Sequence, residues 1–377
     1  MQLAGHILTP SGFVRGVLGI EQGRITTLDG QAVNEALVRA DTNTPIVLPG
    51  FVDLHVHGGG GADTMDGGAA VQCLARLHAQ HGTTSLLATT MTAPLQEIEN
   101  ALRALAPACT VRTSGAARVL GVHLEGPYIS PDQLGAQPAF ARAPSLQEIL
   151  ALHKIAPIRV VTVAPEVAGN LALIPALVSA GMRVQVGHSA ATYEQAVAAL
   201  AQGASGFTHL FNAMSPLHHR APGMAGAALA HAQHAEIIPD LLHVHPGAIR
   251  AALRAIPHLY CVSDATSATG MPDGDYRLGR QTVNKCMGAV RLADGTLAGS
   301  TLTMDQALRN LISLGLSLAE ASARVSQYAA QYIGQSERGF IALGAWADLV
   351  VLDPSSLSLQ QVYVEGERIT LERRARD

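Results

Sequence analysis

Two histidines separated by one residue, His55 and His57, stand near the end of an apolar run that extends from Ile46 to Val56. The run predicts a buried strand, and residues two apart on a strand point to the same side. The glycines 58–61 follow and let the backbone pass close to whatever the imidazoles hold. The pattern indicates a metal site, and the alternative is a histidine pair that is bonded to backbone at a strand end.

Further polar residues interrupt later apolar segments at the points where those segments are expected to end. Leu, Val or Ile could fill such positions at lower desolvation cost, so packing alone does not explain His, Glu and Asp there. Imidazoles combined with a carboxylate suit a divalent ion of the zinc or iron type. These residues are Glu125, His188, His209, His243 and Asp264.

The predicted metal centre would hold one or two ions. We expect Glu125, His188 and His209 to hold one ion, and the histidine pair to hold a second with Glu125 as a bridge. A bound ion lowers the pKa of water from ~15.7 towards ~7, which yields a hydroxide nucleophile at neutral pH. Asp264 suits a general base that takes the proton of the water and returns it to a leaving amine. It could equally be a plain metal ligand, and both roles can hold at once.

The alternation of strands and helices predicts how these residues are brought together. Residues 49–339 contain eight apolar strands that alternate with amphipathic helices. Eight such units predict an α/β fold, a (β/α)8 TIM-type barrel whose active site lies at the carboxyl ends of the strands. A doubly wound open sheet is the alternative, but the first βα turn carries histidines rather than GxGxxG. Short strands in 1–48 and 340–377 predict one small β-sandwich module that both chain ends form together.

Composition narrows the class of protein. The 377 residues are 48% hydrophobic with a formal charge of -4, which allows a large core and argues against disorder. The absence of a basic run argues against nucleic-acid and membrane surfaces. The four cysteines form no CxxC pair and indicate free thiols. We expect a cytoplasmic location, because the first residues lack the pattern of a signal peptide and no stretch suggests a membrane span.

Several motifs resemble those of the amidohydrolase superfamily and, within it, the N-acetylglucosamine-6-phosphate deacetylase family. The superfamily motifs are PGFVDLHVHG at 49–58 and LGAWADLVVLD at 343–353. The family motifs are HLEGPYIS at 123–130, VGHSAAT at 186–192, THLFNAMSPLHHRAPG at 208–223, SDAT at 263–266 and GSTLTMDQALRN at 299–310. The resemblance spans almost the whole chain in the right order.

The resemblance implies metal-dependent hydrolysis of the acetamide of N-acetyl-D-glucosamine 6-phosphate to D-glucosamine 6-phosphate and acetate. It implies the same metal ligands and the same catalytic aspartate as above. It also places the sugar phosphate against Asn212, the Ala213 amide and His243, with Arg220 reaching over from a neighbouring subunit of a homodimer. Gln137 stands where some members have a histidine that polarises the substrate carbonyl.

Alternatives remain open for the residues and for the reaction. Arg220 could form an ordinary loop salt bridge, His243 could be a buried histidine with satisfied hydrogen bonds, and Leu242 could narrow the pocket near the phosphate. N-acetylgalactosamine 6-phosphate is the closest rival substrate, since it differs only in configuration at C4. Cyclic-amide hydrolases usually need a carboxylated lysine on strand four, which residues 160–166 lack. A deaminase would not explain the family motifs, and a non-catalytic scaffold would typically have lost ligands.

Overall fold

The computed structural model describes residues 1–371, which form a barrel and a separate sheet. The strands within this range follow one another along the chain as β1 Gln2–Thr9, β2 Gly12–Glu21, β3 Arg24–Ala32, β4 Ile46–Pro49, β5 Phe51–Val56, β6 Gly58–Gly59, β7 Ala62–Asp63, β8 Thr83–Thr89, β9 Arg118–Glu125, β10 Ile158–Val163, β11 Arg183–Val186, β12 Gly206–Phe207, β13 His234–Ile237, β14 His258–Cys261, β15 Gly274–Leu278, β16 Gln281–Cys286, β17 Ala289–Arg291, β18 Leu349–Leu352, β19 Leu359–Val364 and β20 Glu367–Ile369.

The helices of the same range lie mostly between the barrel strands. None of them is long and apolar enough to cross a bilayer. They are α1 Glu35–Ala40, α2 Ala70–Gln80, α3 Leu95–Thr110, α4 Leu146–Ile155, α5 Asn170–Ser179, α6 Tyr193–Ala201, α7 Gly223–His231, α8 Pro246–Ala255, α9 Met304–Ser313, α10 Leu318–Val325 and α11 Gln327–Tyr332.

Eight parallel strands form the barrel. Six of them hydrogen-bond in the order β12-β11-β10-β9-β8-β5, and β13 pairs with β14. Backbone hydrogen bonds beyond the strand ends complete the ring: Leu210 N donates to Glu236 O at 2.9 Å, and Asp264 N donates to His55 O at 3.0 Å. The strands are buried on both faces, as expected when helices cover a parallel sheet. The predicted TIM-type barrel is confirmed.

The two chain ends form one seven-stranded sheet in the order β20-β19-β18-β4-β1-β2-β3. Strand β18 pairs antiparallel with β4, so neither end forms the sheet without the other. One apolar cluster on this sheet includes Ile7, Leu18, Val47 and Leu349, all fully buried. The predicted module from both ends is therefore present, while its limits at 1–48 and 340–377 stay a prediction. Residues 372–377 of that module lie outside the described residues.

The structure corrects one predicted strand and adds a small sheet. The apolar run from Ile46 to Val56 is not one strand, because Gly50 divides it into β4 of the end sheet and β5 of the barrel. A Cβ at Gly50 would lie 2.2 Å from Cγ2 of Thr84, so the close crossing requires glycine. The antiparallel sheet β15–β17 follows the eighth barrel strand and was not predicted. Its residue Leu278 lines the cavity described below.

Candidate metal centre and active site

Five barrel strands deliver acidic and imidazole side chains to one buried point. His55 lies on β5, His57 directly follows it, and Glu125 ends β9. His188, His209 and Asp264 lie two or three residues beyond the ends of β11, β12 and β14. The backbone of His188, His209 and Asp264 has φ values of 47°, 29° and 51°, in the left-handed region that costs ~1–3 kcal/mol for such residues. The backbone is therefore strained just beyond the ends of these strands. All of these side chains are buried: His55, His57, Glu125, His188, His209 and Asp264.

The first donor set consists of one oxygen and two nitrogens. Glu125 Oε1 lies 3.1 Å from His188 Nε2 and 3.1 Å from His209 Nε2, and the two nitrogens are 3.1 Å apart. Ligand atoms held tetrahedrally by zinc at ~2.0–2.1 Å are about 3.3 Å from one another. The three atoms are therefore spaced as the ligands of a single ion.

The second donor set uses the other oxygen of the same carboxylate. His55 Nε2 and His57 Nε2 are 3.1 Å apart, and Glu125 Oε2 lies 3.5 Å and 3.2 Å from them. Asp264 Oδ1 lies 3.5 Å from His55 Nε2 and 3.3 Å from His57 Nε2. Glu125 thus faces one oxygen towards each donor set. The structure brings together every residue that the sequence proposed for the metal centre.

Hydrogen bonds on the far side of two imidazoles set their tautomers. His188 Nδ1 lies 2.9 Å from the carbonyl oxygen of Gln133, and His55 Nδ1 lies 3.0 Å from Glu236 Oε2. Both partners are acceptors, so Nδ1 carries the proton and Nε2 presents a lone pair to the centre. Lone pairs that face other lone pairs and carboxylate oxygens at such distances repel one another unless a cation or added protons lie between them. The donor chemistry therefore fits a divalent metal.

The imidazoles and carboxylates of the centre shift the pKa values of one another. Burial lowers the pKa of His57, but Asp264 and Glu125 outweigh it and raise the pKa to about 9. Burial raises the pKa of Asp264, but His55 and His57 outweigh it and lower the pKa to about 2. In the metal-free protein, protons on imidazoles thus supply the positive charge that the carboxylates require. A metal ion would replace these protons.

Glu236 belongs to this centre although the sequence analysis missed it. It lies on β13, is fully buried, and its Oε2 accepts hydrogen bonds from His55 Nδ1 and, at 3.2 Å, from the His209 backbone N–H. Its Oε1 accepts a hydrogen bond from Tyr260 at 3.4 Å. The available signal was a carboxylate between the apolar residues Ala235 and Ile237 in the short strand His234–Ile237.

A cavity of about 300 Å³ opens above the donor sets. Four predicted substrate-binding residues line it, namely Gln137, Asn212, Ala213 and His243. The fifth, Arg220, is exposed, lies outside the cavity lining of its own chain and contacts His219 Nε2 through Nη1 at 2.8 Å.

Two of the residues that line the cavity, His243 and Gln137, each form a hydrogen bond to a carboxylate. His243 Nδ1 lies 2.7 Å from Asp240 Oδ2, and although burial lowers the pKa of His243, that carboxylate raises it overall. Gln137 donates from Nε2 to Glu125 Oε2 at 2.6 Å and accepts from the Thr92 backbone N–H at 2.7 Å. Gln137 is thus held at both ends and restrains the shared carboxylate. Leu242, which could have narrowed the pocket, is 53% exposed and lies outside the cavity lining.

Comparison with known proteins agrees with this geometry. The sequence model that describes the Amidohydrolase family matches residues 46–369 of this chain. The chain is 39% identical over 374 residues to the N-acetylgalactosamine-6-phosphate deacetylase of Escherichia coli O157:H7, with 97% of each chain covered. It is 36% identical over 351 residues to the N-acetylglucosamine-6-phosphate deacetylase of Lysinibacillus sphaericus, with 91% of this chain and 90% of that one covered.

A solved structure shares the fold throughout. The N-acetyl-D-glucosamine-6-phosphate deacetylase of Mycobacterium smegmatis, in complex with N-acetyl-D-glucosamine-6-phosphate, superimposes with a TM-score of 0.89 at 35% identity. The match covers 98% of this chain and 99% of that one. The barrel and its two donor sets define the class, and the chain belongs to the amidohydrolase family. The relatives named above are deacetylases of N-acetylhexosamine 6-phosphates, which confirms the resemblance drawn from the motifs.

Proposed function

We propose that this chain hydrolyses the acetamide of N-acetyl-D-glucosamine 6-phosphate and releases acetate and D-glucosamine 6-phosphate. The observation that carries the proposal is Glu125 at the cavity floor, which faces one oxygen towards each of two imidazole sets, with Asp264 beside them. Relatives with this named activity align over nearly the whole chain. The amide bond would therefore meet a hydrolytic centre that is buried at the end of a cavity open to the substrate.

The metal would be zinc or iron(II), held by Glu125, His188 and His209, with the histidine pair available to a second ion. Such an ion lowers the pKa of water and polarises a carbonyl when bound. Asp264 is ionised at neutral pH, because its pKa is about 2, and can accept the proton of the attacking water. Asp264 then returns this proton to the amine that leaves. Gln137 keeps Glu125 in place during the reaction.

The phosphate group would lie against His243, Asn212 and the Ala213 amide at the cavity wall. Asp240 favours the protonated form of His243, which suits a dianion. Arg220 lies outside the cavity of its own chain, so its guanidinium is available to the cavity of a second copy. We therefore propose a homodimer in which each subunit contributes Arg220 to its partner. We also propose a cytoplasmic location, which the four free thiols support.

A second substrate is favoured by one observation. The relative with 39% identity over 374 residues is named for N-acetylgalactosamine 6-phosphate. The two sugars carry the same acetamide and the same phosphate, so the metal centre and the phosphate contacts serve either one. Discrimination would depend on cavity contacts with the C4 hydroxyl.

Acetate release from a panel of substrates tests the proposal. Protein loaded with a defined amount of zinc or iron(II) would be assayed with both N-acetylhexosamine 6-phosphates and with unphosphorylated N-acetylglucosamine. We expect the highest kcat/KM for N-acetylglucosamine 6-phosphate. A higher value for the galactose configuration would establish the second substrate, and equal activity on the unphosphorylated sugar would contradict the phosphate site.

Subunit mixing tests the role of Arg220. Arg220→Ala subunits keep Asp264, and Asp264→Asn subunits keep Arg220, so only a mixed dimer with exchange across the interface contains an intact site. Random mixing would restore about a quarter of the sites if Arg220 acts on its neighbour. If the mixture is no more active than its components, Arg220 does not complete the neighbouring site.

A further inference from the structure

Glu236 is a buried carboxylate that the proposed chemistry does not use. It is fully buried, and no lysine or arginine forms an ion pair with it among residues 1–371. Burying a carboxylate without a counter-charge is costly, so the surroundings must supply one. The closest group that can carry positive charge is His55, whose Nδ1 lies 3.0 Å from Oε2. His123 Nδ1 is more distant, at 3.9 Å from Oε1.

In each donor set one histidine has a hydrogen-bond partner at Nδ1, and the two partners differ in charge. In the first set, His188 is oriented by the neutral carbonyl of Gln133. In the second set, His55 is oriented by the charged carboxylate of Glu236. A carboxylate behind an imidazole fixes its tautomer and raises its basicity as a ligand, which a carbonyl does less strongly. The second set is thus the one that depends on a buried negative charge.

The charge that a second divalent ion would bring also points to a role for Glu236. Glu125 and Asp264 together neutralise one divalent ion. A second ion would leave an excess of positive charge among side chains that are all buried, where such an excess is expensive. Glu236 is the additional carboxylate adjacent to the second set, and it lies on the side of His55 away from Asp264.

We propose that Glu236 is a positioning residue for a second metal ion: it holds His55 with the proton on Nδ1, presents Nε2 to that ion, and supplies the negative charge that the ion requires. The inference rests on the proposed function, because it takes the centre to be metal-dependent. It extends that function by assigning the capacity for two ions to a residue that does not touch the ions or the substrate.

Glu236 also ends a chain of buried polar contacts, which provides a matched control. Its Oε1 accepts from the Tyr260 hydroxyl, which itself accepts a hydrogen bond from Gln185 Nε2 at 2.7 Å. Tyr260→Phe removes this contact and leaves both the carboxylate and the bond to His55. If Glu236 acts only through the network, this variant should have the same effect as a change at Glu236 itself.

Metal titration of Glu236→Gln tests the proposal. The glutamine has the same size and can still accept a hydrogen bond, but it carries no charge. Metal-free protein would be titrated with Zn²⁺ against a chromophoric chelator, and bound ions would be counted by mass spectrometry. We expect wild-type protein to bind two ions, and the variant to bind the second about 10–100-fold more weakly with the first unchanged. Tyr260→Phe should titrate like the wild type, and the melting temperature of metal-free Glu236→Gln should stay close to that of the wild type.

The outcomes separate this inference from the proposed function. Two ions of unchanged affinity in Glu236→Gln, or equal weakening of both, would overturn the role of Glu236. A wild-type protein that binds only one ion would also overturn it and leave the proposed function intact. A wild-type protein that binds no ion would contradict the proposed function itself. Should the glutamine variant fail to fold, Glu236→Asp keeps the charge but withdraws it from His55, and the second ion should again bind more weakly.

Discussion

The metal centre and the junction between the end sheet and the barrel both concentrate charged side chains, but their partners differ. At the junction, Glu365 follows β19 and accepts hydrogen bonds from Arg118 Nε and Nη2, both at 2.8 Å, and from Arg112 Nε at 3.2 Å. Arg338 also contacts this carboxylate. At the barrel mouth, Glu125 has no guanidinium partner among residues 1–371 and lies instead beside the Nε2 atoms of His188 and His209, which can bind a cation.

This difference in partners indicates which of the two charged clusters is structural and which is a binding site for a cation. Guanidinium groups stay protonated at any ordinary pH and donate in a fixed fork, so the junction contains its own counter-ions. Arg112 and Arg118 belong to the barrel half and Glu365 to the end sheet, so these bonds hold the two parts together. At the barrel mouth acceptors face acceptors, and only an added cation or added protons remove the repulsion. A self-compensated cluster is structural, whereas an uncompensated one is a binding site.

The largest expected effect comes from Asp264→Asn. Losing the carboxylate that moves the proton should lower kcat by a factor of about 10²–10⁴, the usual range for a general acid–base residue. The ion held by Glu125, His188 and His209 should remain, because this substitution leaves those ligands intact. Steady-state kinetics and metal analysis of the same preparation would check both statements. Turnover near that of the wild type would remove Asp264 from the reaction.

Removal of the metal should destabilise the barrel and leave the ion pairs of the junction unchanged. An ion that binds only the folded state stabilises it by about 4 kcal/mol when its free concentration is ~1,000 times its Kd. We therefore expect a chelator to lower the melting temperature of the wild type, and added Zn²⁺ to restore it. An unchanged melting temperature would indicate that the two donor sets do not hold an ion.

Glu365→Gln should lower the free energy of unfolding by about 1.5–3 kcal/mol, since charged hydrogen bonds between the two parts are lost. Metal content and kcat should both stay unchanged, whereas Asp264→Asn is expected to lower kcat. Glu99→Gln is the matched control, because Glu99 pairs with Arg103 on the surface of α3 at 2.8 Å. That exposed pair is worth less than about 1 kcal/mol. Denaturant unfolding of both variants would show whether the junction is the stronger contact.

The smallest effect is the pH dependence of the junction. Burial raises the pKa of Glu365, but hydrogen bonds from Arg118 and Arg338 outweigh it and lower the pKa from 4.5 to about 2. A carboxyl group with a lower pKa in the folded state stabilises fully above its unfolded value and loses this contribution as the pH falls. The stability difference between wild type and Glu365→Gln should therefore be constant above about pH 4.5 and shrink towards pH 2. A difference independent of pH over this range would contradict the assignment.

The sequence alone determined the barrel and most of the centre, because both depend on local patterns. Alternation of apolar strands with amphipathic helices is a short-range property, and eight repeats are compatible with few folds. Polar residues at apolar strand ends are conspicuous for the same reason. Glu125, His188, His209, the His55–His57 pair and Asp264 could all be proposed from their own neighbours in the chain.

Tertiary structure decided what depends on contacts across the barrel. Glu236 gains its role from His55, 181 positions away, and no local pattern shows that the two side chains meet. The division at Gly50 lies close to the predicted boundary between module and barrel, but both halves of the run are equally apolar, and only their pairing in different sheets shows that they are separate strands. Arg220 and Leu242 lie outside the cavity because loop paths are set by packing rather than by periodicity. The chain thus encodes its elements locally, and it acquires its charge balance only when distant strands close into a ring.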